Sequence, residues 1–362
     1  MTLRTKVALG LLVFVPISIA AERLGMGEGA VFITSILAIL PLAVWLSTAT
    51  EELALALGPS IGALLNALFG NATELIIALT ALKAGLVDIV KASITGTVVA
   101  NLLLALGLSM LVGGIGRQEQ RFQPVLARVN GTAMSLAVLA ILIPSLTGMG
   151  EGGHGLGTER FSTFVAWVLL LVYGLTLLFS LRTHSALFEV AEADLGEEAS
   201  AHTPPILPWL LVLVAATAGV AYESELFVGV VEEVTAKVGL SALFTGVVLL
   251  PLLGGVAEYL TAVTMARKNK MDLSVSVALG STLLVALLVV PILVLVGPLL
   301  GHPLDLNFQI YELVAITTAV VVSNLVSLDG RSDWLEGVLL LAAYVILAAG
   351  FYFQSMPLAT VS

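Results

Sequence analysis

Apolar segments make up most of this chain, and many of them reach the length of about 20 residues that an α-helix needs to span a bilayer. Of the 362 residues, 59% are hydrophobic and 11% are charged, and the mean hydropathy is +1.08. A soluble domain is usually about 45–50% apolar with about 25% charged residues. The composition therefore predicts an all-α polytopic membrane protein.

The apolar pattern divides the chain into two similar halves. We predict eleven transmembrane helices, which run approximately over residues 6–22, 29–57, 60–84, 87–114, 124–147, 160–182, 206–238, 240–265, 271–300, 308–328 and 333–354. The predicted units are a leading helix (1–28), a first five-helix repeat (29–184), an acidic cytosolic linker (185–205) and a second five-helix repeat (206–362). Because five is odd, the second unit enters the membrane in the opposite orientation, which predicts an inverted-topology repeat.

The N-terminal segment has two interpretations. Arg4 and Lys6 precede an apolar run from Val7 to Ala21, which resembles a secretory signal peptide. A retained first helix fits the whole pattern better, because a cytoplasmic N-terminus places ten of the 15 basic residues on the cytoplasmic side. That charge test does not exclude cleavage. The expected location is the plasma membrane of a prokaryote, with the N-terminus in the cytoplasm.

Two glutamates lie near the middle of apolar segments, at corresponding places in the two halves. Glu74 ends the phrase 70–74 (Gly-Asn-Ala-Thr-Glu), and Glu258 ends the phrase 254–258 (Gly-Gly-Val-Ala-Glu). An ionised carboxylate inside a bilayer is costly and usually marks an ion pathway or a proton relay. The pair predicts a transporter whose halves share one site near the membrane midplane.

The two phrases supply oxygen ligands that suit a hard cation such as Ca²⁺. Because two carboxylates balance one divalent charge, Glu74 and Glu258 are the predicted metal ligands. Glycine one turn before each glutamate permits local unwinding, which turns carbonyl oxygens toward a cavity; the alternative is that these glycines only allow close helix packing. The full set of predicted cation- and proton-binding residues is Gly70, Asn71, Thr73, Glu74, Asn101, Gly254, Gly255, Glu258 and Ser281. For Asn101, helix packing is an equally open role, and Ser281 is either a site ligand or a helix-packing residue.

Two more acidic pairs precede these phrases. Glu51 and Glu52 lie upstream of Glu74, and Glu232 and Glu233 lie upstream of Glu258. We predict that they form an acidic vestibule that guides cations to the site; the alternative is ordinary snorkelling or capping carboxylates. The acidic stretch 189–198 is either a plain polar linker or a segment that attracts or senses cations.

Four passages carry a resemblance to a known family, namely residues 70–76, 268–273, 324–325 and 329–337. They resemble the calcium/proton exchangers of the cation/calcium antiporter superfamily. The resemblance implies one leading helix followed by two inverted five-helix repeats, and exchange of cytosolic Ca²⁺ for external H⁺. It implies that Glu74 and Glu258 are the central ion and proton ligands. It also implies that acidic residues near Glu52 and Glu233 line the cytosolic entrance.

The second repeat departs from the family pattern at three positions. Gly255 stands where the family has Asn, Tyr259 where it has His, and Leu284 where a Gln is common. The loss of side-chain oxygens is expected to weaken the calcium affinity, to alter the choice of cation or to change the coupling to protons. On this basis, Gly255→Asn is expected to raise the apparent calcium affinity by restoring a ligand.

The sequence thus predicts a secondary active antiporter that exchanges Ca²⁺ for H⁺ without a cofactor. An antiporter for Na⁺, K⁺ or Mn²⁺ is the first alternative, and a passive cation channel is the second. An intramembrane enzyme is disfavoured, because the chain has no cysteine and no His-Glu-x-x-His phrase. Despite a net charge of −10, the acidic residues do not form one surface, and the few scattered basic residues argue against nucleic-acid binding. The expected partners are calcium ions, protons and the lipid bilayer; the oligomeric state stays open.

Overall fold

The computed structural model describes residues 3–150, 156–184 and 204–354. The predicted acidic linker therefore lies outside the described residues, except for residues 204–205. The α-helices are α1 Leu3–Leu11, α2 Phe14–Arg23, α3 Glu28–Leu57, α4 Pro59–Phe69, α5 Ala72–Lys83, α6 Val87–Val99, α7 Leu106–Gly114, α8 Pro124–Gly150, α9 Leu156–Leu178, α10 Ile206–Lys237, α11 Ala242–Phe244, α12 Leu250–Gly254, α13 Val256–Arg267, α14 Met271–Leu284, α15 Val290–Val296, α16 Ile310–Val326 and α17 Trp334–Gln354. Two short strands, β1 Gln120–Arg121 and β2 Arg331–Ser332, pair antiparallel.

Most of these helices join end to end into membrane spans. Within the described ranges, eight spans are long and apolar enough to cross a bilayer, and up to nine if the bent pair from Ala242 to Arg267 is one span. Helix α16 is apolar but has 17 residues, and the leading segment is divided into α1 and α2. The chain is a multi-pass helical membrane protein, and the exact number of eleven spans stays a prediction.

Two spans break at the predicted glycine phrases. The backbone leaves helical geometry at Asn71 (φ −119°, ψ 33°), between α4 and α5. It does so again at Gly255 (φ −85°, ψ 8°), where the direction of the span changes by 61° between α12 and α13. Such breaks leave backbone groups outside the regular hydrogen-bond ladder, which is tolerated at membrane depth only inside the protein or beside a cavity.

Short π-helical stretches interrupt three spans near these breaks. They are Ala100–Ala105, Thr245–Leu249 and Val285–Val289. A π-helical turn shifts the register of a helix by one residue and is frequent at functional sites. Asn101 lies in the first of these stretches and is almost fully buried.

The longest helices, α3 and α10, pack antiparallel against each other. The Lys237 ammonium at the end of α10 contacts the Glu28 carboxylate at the start of α3, with 2.6 Å between Nζ and Oε2. Further along, Phe32 stacks on Phe227 with ring centroids 5.5 Å apart, and Trp45 lies 6.5 Å from Trp209. The C-terminal end of α10 therefore lies at the same end of the molecule as the N-terminal end of α3.

Three loops meet at one end of the helices. The β1–β2 pair joins the loop after α7 to the loop before α17, and Gln120 donates from Nε2 to the Ala266 carbonyl at 2.9 Å. Glu119 accepts hydrogen bonds from Arg121 and Arg331, and the bond from Arg121 is the main cause that lowers the pKa of Glu119. These loops carry six basic residues, namely Arg117, Arg121, Arg267, Lys268, Lys270 and Arg331.

At the opposite end of the helices, a buried ion pair fixes the loop between α15 and α16. Lys91 of α6 pairs with Asp305 and donates to the Asn307 carbonyl at 3.0 Å. Beside it lies a pocket of about 490 Å³, lined in part by Asp88, Lys91 and Glu312. The side chain of Lys91 is thus buried against a carboxylate instead of facing solvent.

Candidate functional site

Glu74 is buried in the first turn of α5, directly after the break at Asn71. Both of its carboxylate oxygens are shielded from solvent, and neither has a hydrogen-bond partner among the described residues. A buried carboxylate without a partner is costly, so such a group marks a place where a proton or a cation is expected. Gly70 ends α4 one turn earlier, and Thr73 is buried next to Glu74.

The second glycine phrase packs directly against Glu74. A Cβ atom added to Gly254 would lie 2.7 Å from Cγ of Glu74, closer than side chains approach one another. Glu258 lies one turn beyond Gly254 on α13 and is partly buried. Tyr259 directly follows Glu258 on α13 and is buried. The fold thus brings the two phrases together, although Gly70 and Gly254 lie 184 positions apart in the chain.

A second cluster joins three spans through one hydroxyl group. Asn71, at the break before α5, donates from Nδ2 to Oγ of Ser281 at 2.7 Å, and Asn101 donates to the same oxygen at 3.0 Å. Ser281 lies in α14, so the first glycine phrase, the π-helical stretch at Asn101 and the second half of the chain meet here. Since both amides donate through nitrogen, the amide oxygens are the atoms suited to a cation.

A cation at this place would need ligands of several kinds. Within the described residues, no group of three or more His, Cys, Asp or Glu side chains has the arrangement of a metal site. Two carboxylates therefore have to be supplemented by amide, hydroxyl or backbone oxygens to reach the six to eight ligands that Ca²⁺ takes.

The two predicted vestibule pairs lie at opposite ends of the molecule. Glu51 and Glu52 are near the C-terminal end of α3, and Glu232 and Glu233 are near the C-terminal end of α10. Because α3 and α10 run antiparallel, the expectation that both pairs line one cytosolic entrance is wrong. Glu233 also pairs with Lys237 at 2.8 Å. The role of each pair at its own end stays a prediction.

Sequence analysis missed a fully buried carboxyl group on α10. Glu223 accepts a hydrogen bond from Ser18 of the leading segment, with 2.6 Å between Oγ and Oε1, while Oε2 has no partner among the described residues. The available signal was the carboxylate's position inside an apolar span, which is itself unusual. Its neighbour Glu225 is exposed and pairs with Lys83.

We expect Glu223→Gln to leave the thermal stability of the purified protein unchanged or slightly higher. The amide oxygen keeps the bond from Ser18, and no charge remains to be buried. Glu223→Ala removes the acceptor and is expected to cost about 1–3 kcal/mol. Thermal unfolding in detergent measures both; a glutamine variant as unstable as the alanine variant would contradict this role.

Comparison with known proteins identifies the family. The family described as "Sodium/calcium exchanger protein" matches residues 28–182 and 208–353, which is most of the chain. The chain belongs to this family. It is 50% identical over 359 residues to the Ca²⁺/H⁺ antiporter of Aphanothece halophytica, covering 95% of this chain and 96% of that protein. It is 40% identical over 339 residues to the Ca²⁺/H⁺ antiporter ChaA of Bacillus subtilis, covering 93% and 96%.

A solved structure agrees with this assignment. Native YfkE superposes with a TM-score of 0.83 at 37% identity, covering 96% of this chain and 99% of that chain. The predicted resemblance to calcium/proton exchangers and the all-α polytopic fold are thereby confirmed. These relatives are named as antiporters, which are transporters and not enzymes.

Proposed function

We propose that this family member exchanges Ca²⁺ for H⁺ across the membrane, using Glu74 and Glu258 as shared ligands. The observation that carries the proposal is the contact of the broken α12–α13 span with the buried carboxylate of Glu74. The names of the relatives support calcium and protons as the transported ions. The expected location is the plasma membrane of a prokaryote, with the N-terminus in the cytoplasm.

The charges at the site explain why the two ions would be exchanged. Two ionised carboxylates in a space closed to water are strongly disfavoured. Binding one Ca²⁺ neutralises both charges, and so does binding protons. A site that changes its exposure from one side to the other is therefore stable only when it carries calcium or protons. This requirement couples the two ions, and no chemical step is needed.

The remaining ligands come from the first half and from α14. Asn71 and Asn101 offer amide oxygens, and both donate to the hydroxyl oxygen of Ser281, which holds the two amides together. The breaks at Asn71 and Gly255 add backbone groups outside regular helix geometry. Because the breaks divide both spans, small rotations of the half-helices are a physical means of alternating access.

The pocket beside Lys91 is a candidate mouth on one side of the membrane. Lys91 precedes Asn101 by ten positions on the same span, which is about 15 Å along a helix. Between them, Thr95 donates to Glu312 of α16 at 3.3 Å. Thr95 and Glu312 therefore place polar side chains along an otherwise apolar route between the pocket and Asn101.

The first test is calcium uptake into proteoliposomes that contain the purified protein. An imposed pH gradient is expected to drive calcium accumulation, and a protonophore that collapses the gradient is expected to stop it. Calcium flux that ignores the pH gradient would indicate a channel. Proton-coupled uptake of Na⁺, K⁺ or Mn²⁺ with no competition from calcium would indicate an antiporter for another cation.

A further inference from the structure

Gly255 and Tyr259 occupy one shared volume at the break between α12 and α13. A Cβ atom added to Gly255 would lie 2.6 Å from both Cζ and the hydroxyl oxygen of Tyr259. The two residues are four positions apart, which places them on the same face of the helix. A larger residue at position 255 therefore requires the tyrosine ring to leave.

The hydroxyl group of Tyr259 also engages a backbone oxygen at the break. It donates to the Pro251 carbonyl at 3.0 Å, and the backbone N–H of Gly255 donates to the same carbonyl at 2.9 Å. A carbonyl oxygen has two lone pairs. Both are used here, so the Pro251 carbonyl is closed to a cation as long as Tyr259 stays in place.

Tyr259 is buried at the break that holds the proposed ion ligands. Glu258 directly precedes it in the chain, and Gly254, which packs against Glu74, lies five positions before it. A phenol is uncharged at neutral pH, so Tyr259 contributes no charge to the site. Its effects on the site are therefore steric and through the hydrogen bond to Pro251.

We propose that Gly255 and Tyr259 form a matched pair that limits the oxygen ligands contributed by the second half of the chain. The ring of Tyr259 occupies the volume that a side chain at position 255 would need. Its hydrogen bond to the Pro251 carbonyl keeps that oxygen from binding a cation. The proposal rests on the proposed function, since it assigns a specificity role within the same site. It makes Tyr259 a positioning residue that keeps the apparent calcium affinity low.

The sequence-based expectation for Gly255→Asn changes accordingly. The single variant is now expected to lose stability and transport, because asparagine collides with the tyrosine ring. Gly255→Asn combined with Tyr259→His is expected to recover stability, because the smaller ring makes room. The double variant is expected to bind calcium about threefold to tenfold more tightly than the original protein, as one added oxygen ligand allows.

Tyr259→Phe separates the hydrogen bond from the packing. The ring keeps its volume beside Gly255, whereas one lone pair of the Pro251 carbonyl becomes available. We expect a lower half-saturating calcium concentration in the uptake assay at a nearly unchanged melting temperature. An unchanged half-saturating concentration would overturn the proposed effect of Tyr259 on affinity.

The experiment compares the original protein, Gly255→Asn, Tyr259→His and the double variant. The melting temperature of each is measured without calcium, and its calcium uptake is measured afterwards. Non-additive melting temperatures, with recovery in the double variant, are expected; additive effects would overturn the matched pair. The melting cycle does not depend on transport. Absence of calcium uptake in the original protein would therefore contradict the proposed function alone, while an additive cycle beside normal uptake would contradict this inference alone.

Discussion

Glu74→Gln is expected to reduce pH-gradient-driven calcium uptake by about a hundredfold or more, because losing a charged partner in a buried site costs about 3 kcal/mol or more. Glutamine has nearly the same shape but carries neither a negative charge nor a titratable proton. It can therefore neither balance calcium nor exchange it for H⁺. The same loss is expected for Glu258→Gln if the two carboxylates share one ion.

The variant proteins are expected to remain folded, which distinguishes a transport defect from misfolding. Replacing a buried carboxylate by a neutral group of similar shape is often neutral or stabilising. The melting temperature of Glu74→Gln should therefore stay the same or rise, while its stabilisation by added calcium should disappear. Both quantities are measured by thermal unfolding in detergent, beside uptake in proteoliposomes.

Glu225→Gln is the matched control for these variants. Its carboxylate lies on α10, is exposed and pairs with Lys83 at 3.1 Å. Exposed ion pairs contribute about 0–1 kcal/mol, so uptake is expected within about twofold of the original rate. Near-normal uptake by Glu74→Gln, or an equal loss in the control, would contradict a shared site at Glu74 and Glu258.

The sequence could predict the membrane fold and the places of the helix breaks. Hydropathy is a local property, and glycine next to a carboxylate inside an apolar span is conspicuous. The breaks at Asn71 and Gly255 follow from that local signal. The inverted repeat and the site's role in transport remain predictions from the same pattern.

Long-range contacts could not be predicted in the same way. Nothing in the sequence pairs Ser18 with Glu223 or Lys91 with Asp305, because these partners lie on spans far apart in the chain. In contrast, the contact between Gly255 and Tyr259 is predictable from the sequence, since a spacing of four residues places side chains on one helix face. Taken separately, the two departures indicate lost ligands; taken as neighbours on one helix face, they indicate a steric fit.

Gly254→Val is expected to abolish calcium uptake by displacing the side chain of Glu74. The added Cβ would lie 2.7 Å from Cγ of Glu74, and the two methyl groups of valine extend farther from the backbone. Either the carboxylate moves away or α12 separates from α5. Overpacking of this kind typically costs about 1–3 kcal/mol, so a lower melting temperature is expected together with the loss of uptake.

Gly229→Val provides the control for glycine replacement within a membrane span. Gly229 lies on the exposed side of α10, and an added Cβ there meets no atom within 4 Å. Valine and glycine differ little in helix propensity, by well under about 1 kcal/mol. Uptake should therefore remain normal in Gly229→Val, decline partly in Gly254→Ala and vanish in Gly254→Val. Normal uptake across the Gly254 series would mean that the contact with Glu74 does not matter for transport, because a site that depends on this carboxylate cannot tolerate its displacement.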